Sequence, residues 1–397
     1  MAPNVKKKKI TPAQLPEELV RDEILARLPI KSAVRFKVVS KSWLSIFSDS
    51  NFLKKHLSRN SSQNPNDYDC LVAAKHRRVV VLTRYKETFV LPLDNYEMVG
   101  SVQGLVCLRC AKKLSLWNPA IHQSREFTLP TQHQERHADL SHIGLGFDHA
   151  SNNYKVVVCY VSGDSRYGCV YSGKSDSWSD VFVPDNVLFR TEKMPWDHKR
   201  GPETIVKNCP YWKCDTYMSN NDDVRSVAVM KFDVGSNEFK LLPEFEFDAS
   251  EQNWERGKRY ALVTMNDCLT LMTYKLSKDS VVDVYSLDEE GSCVWSKMYS
   301  VGPLDLYTHY LHLLQGFRYG GEFGCHNYGT FVCCDPERNT VKRLAGTTSH
   351  LNLISCFPYV PTLVYLQGMK SVYMQTQARI SGNTFRTPRR LINSLRG

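Results

Sequence analysis

Short strand–turn–strand units recur along most of this 397-residue chain and limit the folds that it can adopt. Each places β-branched or aromatic residues on both sides of an Asn, Asp, Ser or Gly turn, which is the pattern of a β-hairpin. The six units are LSLWNPAIHQSREFTLP (114–130), GLGFDHASNNYKVVVCY (144–160), CVYSGKSDSWSDV (169–181), MKFDVGSNEFKLLP (230–243), VVDVYSLDEEGSCVWSKM (281–298) and VCCDPERNTVKRL (332–344). The sequence therefore predicts a large all-β domain.

The spacing of these units favours a β-propeller, in which small sheets repeat around an axis. Together with the strand-like runs between them, they form five groups, at 101–130, 143–178, 204–243, 260–297 and 311–344. A further group would be shared between 68–93 and 350–366, so that the two ends of the domain close the ring and pair their sheet edges. We expect a propeller of five or six irregular blades, with a pair of β-sandwiches as the alternative.

A different pattern precedes the β-rich part. In LPEELVRDEILARLPIKSAVRFKVVSKSW (15–43), apolar residues recur at spacings of three and four, which indicates short helices. The first helix should begin near Pro16 and end before Pro29, and Ser32 should cap the next helix. The whole chain is thus expected to be an α+β multidomain protein, with a small helical domain ahead of the β domain.

The helical segment contains more large apolar residues than a bundle of its size can enclose. Phe36 and Phe47 suit the interior, but a unit of about 45 residues has room for few such side chains. An apolar surplus of this kind predicts an interface, either with the domain that follows or with another protein. The pattern alone leaves both options open.

The basic charge of the chain is concentrated near its N-terminal end. Residues 1–57 carry twelve Lys or Arg against five Asp or Glu, whereas the other residues carry 39 against 36. This distribution argues against general nucleic-acid binding. The run Lys6–Lys9 is either a solvated tail or a nuclear import signal, so we expect the protein in the cytoplasm, the nucleus or both. No apolar run predicts a membrane span or a secretory signal.

The sequence shows no motif that would supply chemistry. HQERH (133–137) lacks the Glu directly after the first His that a zinc protease needs, and the cysteines do not form two pairs at zinc spacing. Phosphate-binding, nucleophile-elbow and dinucleotide-binding fingerprints are also absent. We therefore expect no catalytic residue, no metal and no cofactor.

Residues 15–56 resemble the F-box of plant F-box proteins. The family pattern runs L-P-x-x-L, then E-I-L-x-R-L-P-x-K-S, then R-F-x-x-V-x-K-x-W. This chain matches it at fixed offsets with Leu15-Pro16, Leu19, Ile24-Leu25, Leu28-Pro29, Lys31-Ser32, Arg35-Phe36 and Val39–Trp43, followed by Phe52 and His56. Ser40 departs from it, because many members carry Cys there.

The F-box resemblance implies a specific set of partners. Residues 11–57 would bind a Skp-type adaptor, which connects to a cullin scaffold and a RING subunit. The residues expected to contact the adaptor are Leu15, Pro16, Leu19, Ile24, Leu25, Leu28, Pro29, Val39 and Trp43. For each of them, packing inside the small bundle is the alternative.

The β-rich part resembles the F-box-associated domain of the same proteins, including the S-locus F-box group. The matching runs, in order, are GSVQGLVCL, LSLWNPAIHQSREFTLP, GLGFDHASNNYKVV, VYSGKSDSW, FDVGSNEF and YVPTLVYL. Residues 190–225 resemble that family only faintly. The resemblance implies a kelch-like propeller domain at 68–366, joined to the F-box by a linker at 58–67. A basic tail at 1–10 and a disordered tail at 367–397 would flank them.

Taken together, the resemblances predict a non-catalytic substrate receptor of a cullin-based (SCF-type) ubiquitin ligase. The alternative is a propeller-type enzyme or glycan-binding protein whose helical segment packs on its own body. Loops that combine aromatic and charged residues are the candidates for target contact, since Trp, Tyr and Arg are frequent interface anchors. These residues are Trp196, His198, Lys199, Arg200, Trp254, Arg256, Arg259, Tyr307, His309 and Tyr310.

Overall fold

The structure is a computed structural model, and it divides the chain into two compact units, Met1–Asn64 and Pro65–Gly397. The described residues are 15–56 (without 38, 50 and 54), 70–130 (without 76–77, 84–85 and 93–95), 138–188 (without 164 and 185–186), 201–216, 226–246, 258–304 (without 266 and 276–279), 318–319, 322–327, 330–335, 340–343 and 353–372. The predicted tail at 1–10 and linker at 58–67 lie outside them. None of the described helices is long and apolar enough to cross a membrane.

The N-terminal unit is helical, as its periodicity predicts. Its elements are α1 (Glu17–Leu19), which continues as a π-helical turn (Val20–Ile24) and a 3₁₀ turn (Leu25–Arg27), then α2 (Ile30–Phe36), α3 (Lys41–Ile46) and helical residues at 51–53 and 55–56. The first run ends at Leu28, whose ψ of 137° is extended. A residue that precedes proline disfavours the helical conformation, so Pro29 explains this boundary.

Two helix caps follow the expected chemistry, and one prediction is wrong. Ser40 precedes α3, and its Oγ accepts a hydrogen bond from the Trp43 amide at 3.1 Å. Asp49 does the same for the last helical segment, through its Oδ1 and the Phe52 amide at 2.7 Å. Ser32, in contrast, lies inside α2, because the helix already begins at Ile30 with Pro29 in the cap position.

A small core fills the N-terminal unit. Its fully buried side chains are Leu25, Ala26, Ala33, Phe47, Phe52 and His56. The rings of Phe47 and Phe52 meet edge to face, with centroids 5.4 Å apart. Phe36 is only partly buried, and its ring packs edge to face on Trp43 at 5.2 Å. The assignment of Phe47 to the interior is confirmed.

The described strands of the second unit form six antiparallel sheets, which we name A to F. Sheet A contains β1 (Cys70–Lys75), β2 (Arg78–Thr83), β3 (Lys86–Pro92) and β26 (Leu353–Pro358). Sheet B contains β4 (Glu97–Val102), β5 (Leu105–Cys110), β6 (Lys113–Asn118), β7 (Gln123–Thr128) and β27 (Lys370–Ser371). Sheet C contains β8 (Asp139–Asp148), β9 (Asn153–Ser162), β10 (Ser165–Ser172) and β11 (Ser177–Val181).

Sheets D to F continue the series along the chain. Sheet D contains β12 (Val187–Leu188), β13 (Thr204–Val206), β14 (Cys209–Thr216), β15 (Ser226–Asp233), β16 (Glu238–Leu241) and β17 (Phe245–Glu246). Sheet E contains β18 (Lys258–Met265), β19 (Cys268–Lys275), β20 (Ser280–Leu287) and β21 (Trp295–Leu304). Sheet F contains β22 (Arg318–Tyr319), β23 (Glu322–Asn327), β24 (Thr330–Asp335) and β25 (Thr340–Arg343).

These sheets confirm the predicted propeller rather than a pair of sandwiches. Each of the five continuous groups predicted from the sequence corresponds to one sheet, and the group shared between the two ends corresponds to sheet A. There β26 pairs antiparallel with β1, with Val72 opposite Phe357. Buried apolar clusters join sheets A and B, sheets B and C, and sheets C, D and E, for example Trp117 of sheet B with Val72 of sheet A. The late strand thus closes the ring.

A segment that we name the C-terminal strap (residues 359–369) joins the closing strand β26 to the edge of sheet B. The Asn118 side chain at the end of β6 binds it: Nδ2 donates to the carbonyl oxygens of Thr362 at 3.1 Å and Val364 at 2.8 Å. Its Oδ1 accepts from the Ala120 amide at 3.0 Å. The buried Asn118 therefore uses both ends of its amide to link the WNP turn to the strap.

The boundary predicted for the C-terminal tail is wrong. Met369 and Val372 are buried, and β27 pairs with β7 so that Lys370 lies opposite Ser124. The ordered chain therefore extends past 367, because these apolar side chains reach the core of sheets A and B. The rest of the predicted tail lies outside the described residues.

Two hairpins share one turn sequence, which we name the FD turn: FDHASNNYK (147–155) and FDVGSNEFK (232–240). In each, the Asp side chain accepts hydrogen bonds from backbone amides two and three residues further on. The Lys seven residues later binds the same Asp, Lys155 with Asp148 at 3.2 Å and Lys240 with Asp233 at 2.8 Å. Lys155 is buried, and its Nζ also donates to the Val234 carbonyl of the next sheet.

Candidate functional site

The N-terminal unit exposes a set of large apolar side chains that its own core does not use. The exposed fractions are 57% for Leu15, 47% for Leu19, 44% for Ile24 and 60% for Val39. Pro16 and Pro29 are also exposed, and Leu28 is partly buried. Soluble domains rarely leave so many large apolar side chains in water within one small unit, which is typical of a binding surface. We name this set the docking edge.

One residue predicted for this surface belongs to the core instead. Leu25 is only 1% exposed, whereas its neighbour Ile24 is 44% exposed. Leu25 begins the 3₁₀ turn that follows the π-helical turn, so the helical phase differs from that of a regular α-helix. The assignment of Leu25 to adaptor contact is therefore corrected to packing inside the bundle.

Trp43 is only partly exposed, and its neighbour Leu44 is an exposed apolar residue that the sequence analysis did not predict. Its ring is partly buried against Phe36, so only part of it is available at the surface. Leu44, which the sequence analysis did not select, is 48% exposed. The signal was present, because Trp43 and Phe47 share one face of α3 at a spacing of four and Leu44 falls beside that face. We add Leu44 to the docking edge.

Ion pairs connect the first and last helical segments of the N-terminal unit. Arg21 binds Asp49 at 2.7 Å, and Lys55 binds Asp22 at 3.1 Å, so the first helical run is joined twice to the last. All four side chains are roughly two-fifths exposed. Pairs this exposed contribute little to stability, and they orient the segments more than they hold them together.

Burial affects two ionisable groups of this unit. Desolvation lowers the pKa of His56, and a hydrogen bond to the Leu28 carbonyl opposes that shift. Desolvation also lowers the pKa of Lys37. A lowered histidine pKa favours the neutral imidazole at neutral pH, so the core of the unit is uncharged.

Of the residues predicted to contact a target, Arg259 alone lies in a described strand. Trp196, His198, Lys199, Arg200, Trp254, Arg256, Tyr307, His309 and Tyr310 lie outside the described residues. Arg259 lies in β18, but its side chain is not among those described. Their role in binding stays a prediction.

Several ionisable side chains lie on or beside neighbouring strands of sheets C, D and E. Lys213 binds Glu203 at 3.6 Å, and its Nζ lies 4.9 Å from the ring centroid of Tyr260. Desolvation lowers the pKa of His142 to about 3, against the opposite effect of the Glu203 carboxylate. His142 is therefore neutral at physiological pH, and its ring packs edge to face on Trp212. Within the described ranges, no three His, Cys, Asp or Glu side chains are grouped as a metal site.

Two known domain families match this chain. The F-box domain matches residues 13–55, and the F-box associated beta propeller domain matches residues 43–353. An Arabidopsis thaliana F-box/kelch-repeat protein is 25% identical over 334 residues, which is 77% of this chain and 84% of the relative. A putative F-box protein of the same plant is 26% identical, over 71% of this chain and 72% of the relative.

The match to the F-box associated beta propeller domain covers most of the chain, so it establishes the family. A further Arabidopsis thaliana F-box protein is 27% identical over 69% of this chain and 67% of its own length. The narrower resemblance to the S-locus group stays a prediction. An F-box followed by such a propeller supports a general role in substrate recognition by SCF-type ubiquitin ligases. The chain belongs to the plant F-box proteins that carry an F-box-associated β-propeller domain.

Proposed function

We propose that this protein is a non-catalytic substrate receptor, in which the docking edge binds a Skp-type adaptor and the propeller binds a target protein. The exposed apolar side chains of the docking edge carry this proposal. Leu15, Leu19, Ile24 and Val39 are each at least 44% exposed, and the described core of the unit consists of other side chains. Covering them with a partner removes apolar surface from water, which favours association.

The receptor would act by positioning its target rather than by chemistry. The adaptor links the chain to a cullin and a RING subunit, and the propeller holds the target beside the ubiquitin-carrying enzyme. Two partners on one scaffold react at a high effective concentration, so the receptor needs no catalytic group of its own. The absence of catalytic and cofactor motifs in the sequence agrees with this division of labour.

For the target-binding face, support comes from the strands that flank the candidate residues. The groups at 254–259 and 307–310 precede or overlap the starts of β18 and β22, the first described strands of sheets E and F, and the group at 196–200 falls between β12 and β13 of sheet D. Sheets that repeat around a ring orient their first strands alike, so the starts of β18 and β22 share one face. We propose that the target binds at that face.

The adaptor proposal is tested by charging the docking edge. The double variant Leu19→Asp, Ile24→Asp should fold normally, because both side chains are exposed, but should bind a plant Skp-type adaptor at least about a hundredfold more weakly, since two charges would be buried in an apolar interface. Binding is measured by biolayer interferometry on the full chain. The matched control is Phe182→Asp, which changes an apolar side chain of the propeller that is 77% exposed.

The outcomes separate clearly. Loss of binding in the double variant with retention in the control supports the proposal. Undiminished binding in the double variant would refute the docking edge as the adaptor site. Proteins captured from plant extract with proteasome activity blocked should include targets with both variants, and the adaptor and cullin only with the control.

The cellular location is also a proposal. Lys6–Lys9 lies outside the described residues, and we propose that it supports nuclear import of a protein present in cytoplasm and nucleus. Replacing the four lysines by alanine in a fluorescent fusion should reduce its nuclear signal. An unchanged distribution would refute the import signal.

A further inference from the structure

His56 is a buried polar side chain in a unit whose other fully buried described side chains are apolar. Its exposed fraction is 1%, and it lies in the last helical segment, between the core and the end of the first helical run. Its ring is tilted against that of Phe52, with centroids 6.0 Å apart. A buried polar group is retained where its hydrogen bonds are satisfied.

One hydrogen-bond partner of His56 is a backbone atom of the docking edge. Its Nε2 lies 3.0 Å from the carbonyl oxygen of Leu28, which is 28 positions earlier in the chain. A carbonyl oxygen only accepts, so Nε2 carries the proton and donates it. Nε2 carries a proton both in this neutral tautomer and in the imidazolium, so the bond does not depend on the charge of the ring.

The Leu28 carbonyl needs such a donor because of where the helix ends. The last carbonyls of a helix have no partner within it. Leu28 has left the helical conformation, and Pro29, which follows in the cap position of α2, has no N–H of its own. The Leu28 amide donates to the Leu25 carbonyl at 3.2 Å, and the Pro29 carbonyl accepts from the amides of the first turn of α2. The Leu28 carbonyl is bound by the His56 side chain instead, which ties this corner of the docking edge to the last helical segment.

We propose that His56 is a positioning residue that holds the Leu28–Pro29 corner in the orientation that the adaptor binds. This inference rests on the proposed adaptor binding and names a residue that acts through the docking edge without belonging to it. The ion pairs Arg21–Asp49 and Asp22–Lys55 join the same two segments, but they involve other positions and are partly exposed. Neither is at the corner.

Two substitutions separate the hydrogen bond from the volume of the ring. His56→Gln keeps an amide donor near the position of Nε2, whereas His56→Met fills the space without a donor. We expect His56→Met to weaken binding of a plant Skp-type adaptor by about tenfold, which is the loss of one buried hydrogen bond, and His56→Gln to stay within about threefold of the wild type. Binding is measured on the full chain.

The matched control is Phe52→Leu, which reduces the same core without removing the donor. It should lower the unfolding temperature of the N-terminal unit while leaving adaptor affinity within about threefold, as measured well below that temperature. Equal adaptor affinity for His56→Met and the wild type would overturn the inference. So would a loss of affinity in all three variants that simply follows their loss of stability.

A second readout does not depend on the adaptor. Amide hydrogen exchange over 25–36 in the free chain should be faster in His56→Met than in His56→Gln, with exchange over 41–47 unchanged. Faster exchange over both segments would mean a general stability role and would overturn the inference. If the wild type binds no adaptor but the exchange difference is found, the proposed function fails while the positioning of the corner stands.

Discussion

The two FD turns allow a controlled measurement of what a buried ion pair contributes to this propeller. Both turns have the sequence pattern F-D-x-x-S-N-x-x-K, and in both the Lys binds the Asp. The side chains of Lys155 and Asp148 are each 9% exposed, whereas those of Lys240 and Asp233 are 48% and 27% exposed. Replacing each Lys by Met keeps the length of the side chain and removes its charge.

The structure predicts very different costs for the two replacements. Lys155→Met leaves the Asp148 carboxylate buried without its cation and removes the donor to the Val234 carbonyl at 2.5 Å, a contact between sheets C and D. Removing one partner of a buried pair costs about 3 kcal/mol or more of the free energy of unfolding. Lys240→Met removes a largely exposed pair and should cost less than about 1 kcal/mol.

Urea unfolding of the full chain at neutral pH, followed by tryptophan fluorescence, measures both costs. The turn sequence is shared, so the difference between the variants reports burial and the bond to sheet D. Equal costs for the two variants, or a cost below about 1 kcal/mol for Lys155→Met, would refute the argument. A double variant that also carries Asp148→Asn should recover part of the loss, because it removes the unpaired charge.

Two further predictions follow from the same unit. The hydrogen bond from Ser151 holds the pKa of Asp148 at about 2, aided by Lys155 and opposed by burial. The ionised Asp148 therefore adds about 2 kcal/mol to the free energy of unfolding above the unfolded pKa near 4, and this contribution should be lost as the pH falls towards 2. Urea unfolding across that range should show the loss in the wild type but not in Asp148→Asn. Asn118→Leu removes the donors to Thr362 and Val364 and should cost about 3 kcal/mol, with faster proteolysis of the C-terminal strap; an unaltered digestion pattern would contradict its role.

The arrangement of the sheets could be predicted from the sequence because it depends on local signals. Hairpin turns and β-branched runs mark each sheet, and the pairing of β26 with β1 follows from the need to close the ring. The end of the domain could not be predicted, since Met369 and Val372 lie in a stretch without the periodicity of a hairpin. Only their packing against sheets A and B reveals that they are ordered.

The docking edge was predicted in outline, and its errors have a physical cause. A periodicity of 3.6 residues per turn does not anticipate the π-helical turn at Val20–Ile24, so it cannot decide between Ile24 and Leu25. The role of Leu44 was within reach of the same periodicity. His56 was recognised as part of a family pattern, but its bond to the Leu28 carbonyl joins positions that only the folded chain brings together.

The closing strand has a consequence for synthesis on the ribosome. Sheet A obtains β26 only after the strands of the other five sheets, apart from β27, have been translated. Until then β1 has an open edge, which is the kind of surface that chaperones cover and that pairs wrongly with other chains. A premature stop codon anywhere before 353 would therefore leave a nascent domain open, however many of its sheets had already formed.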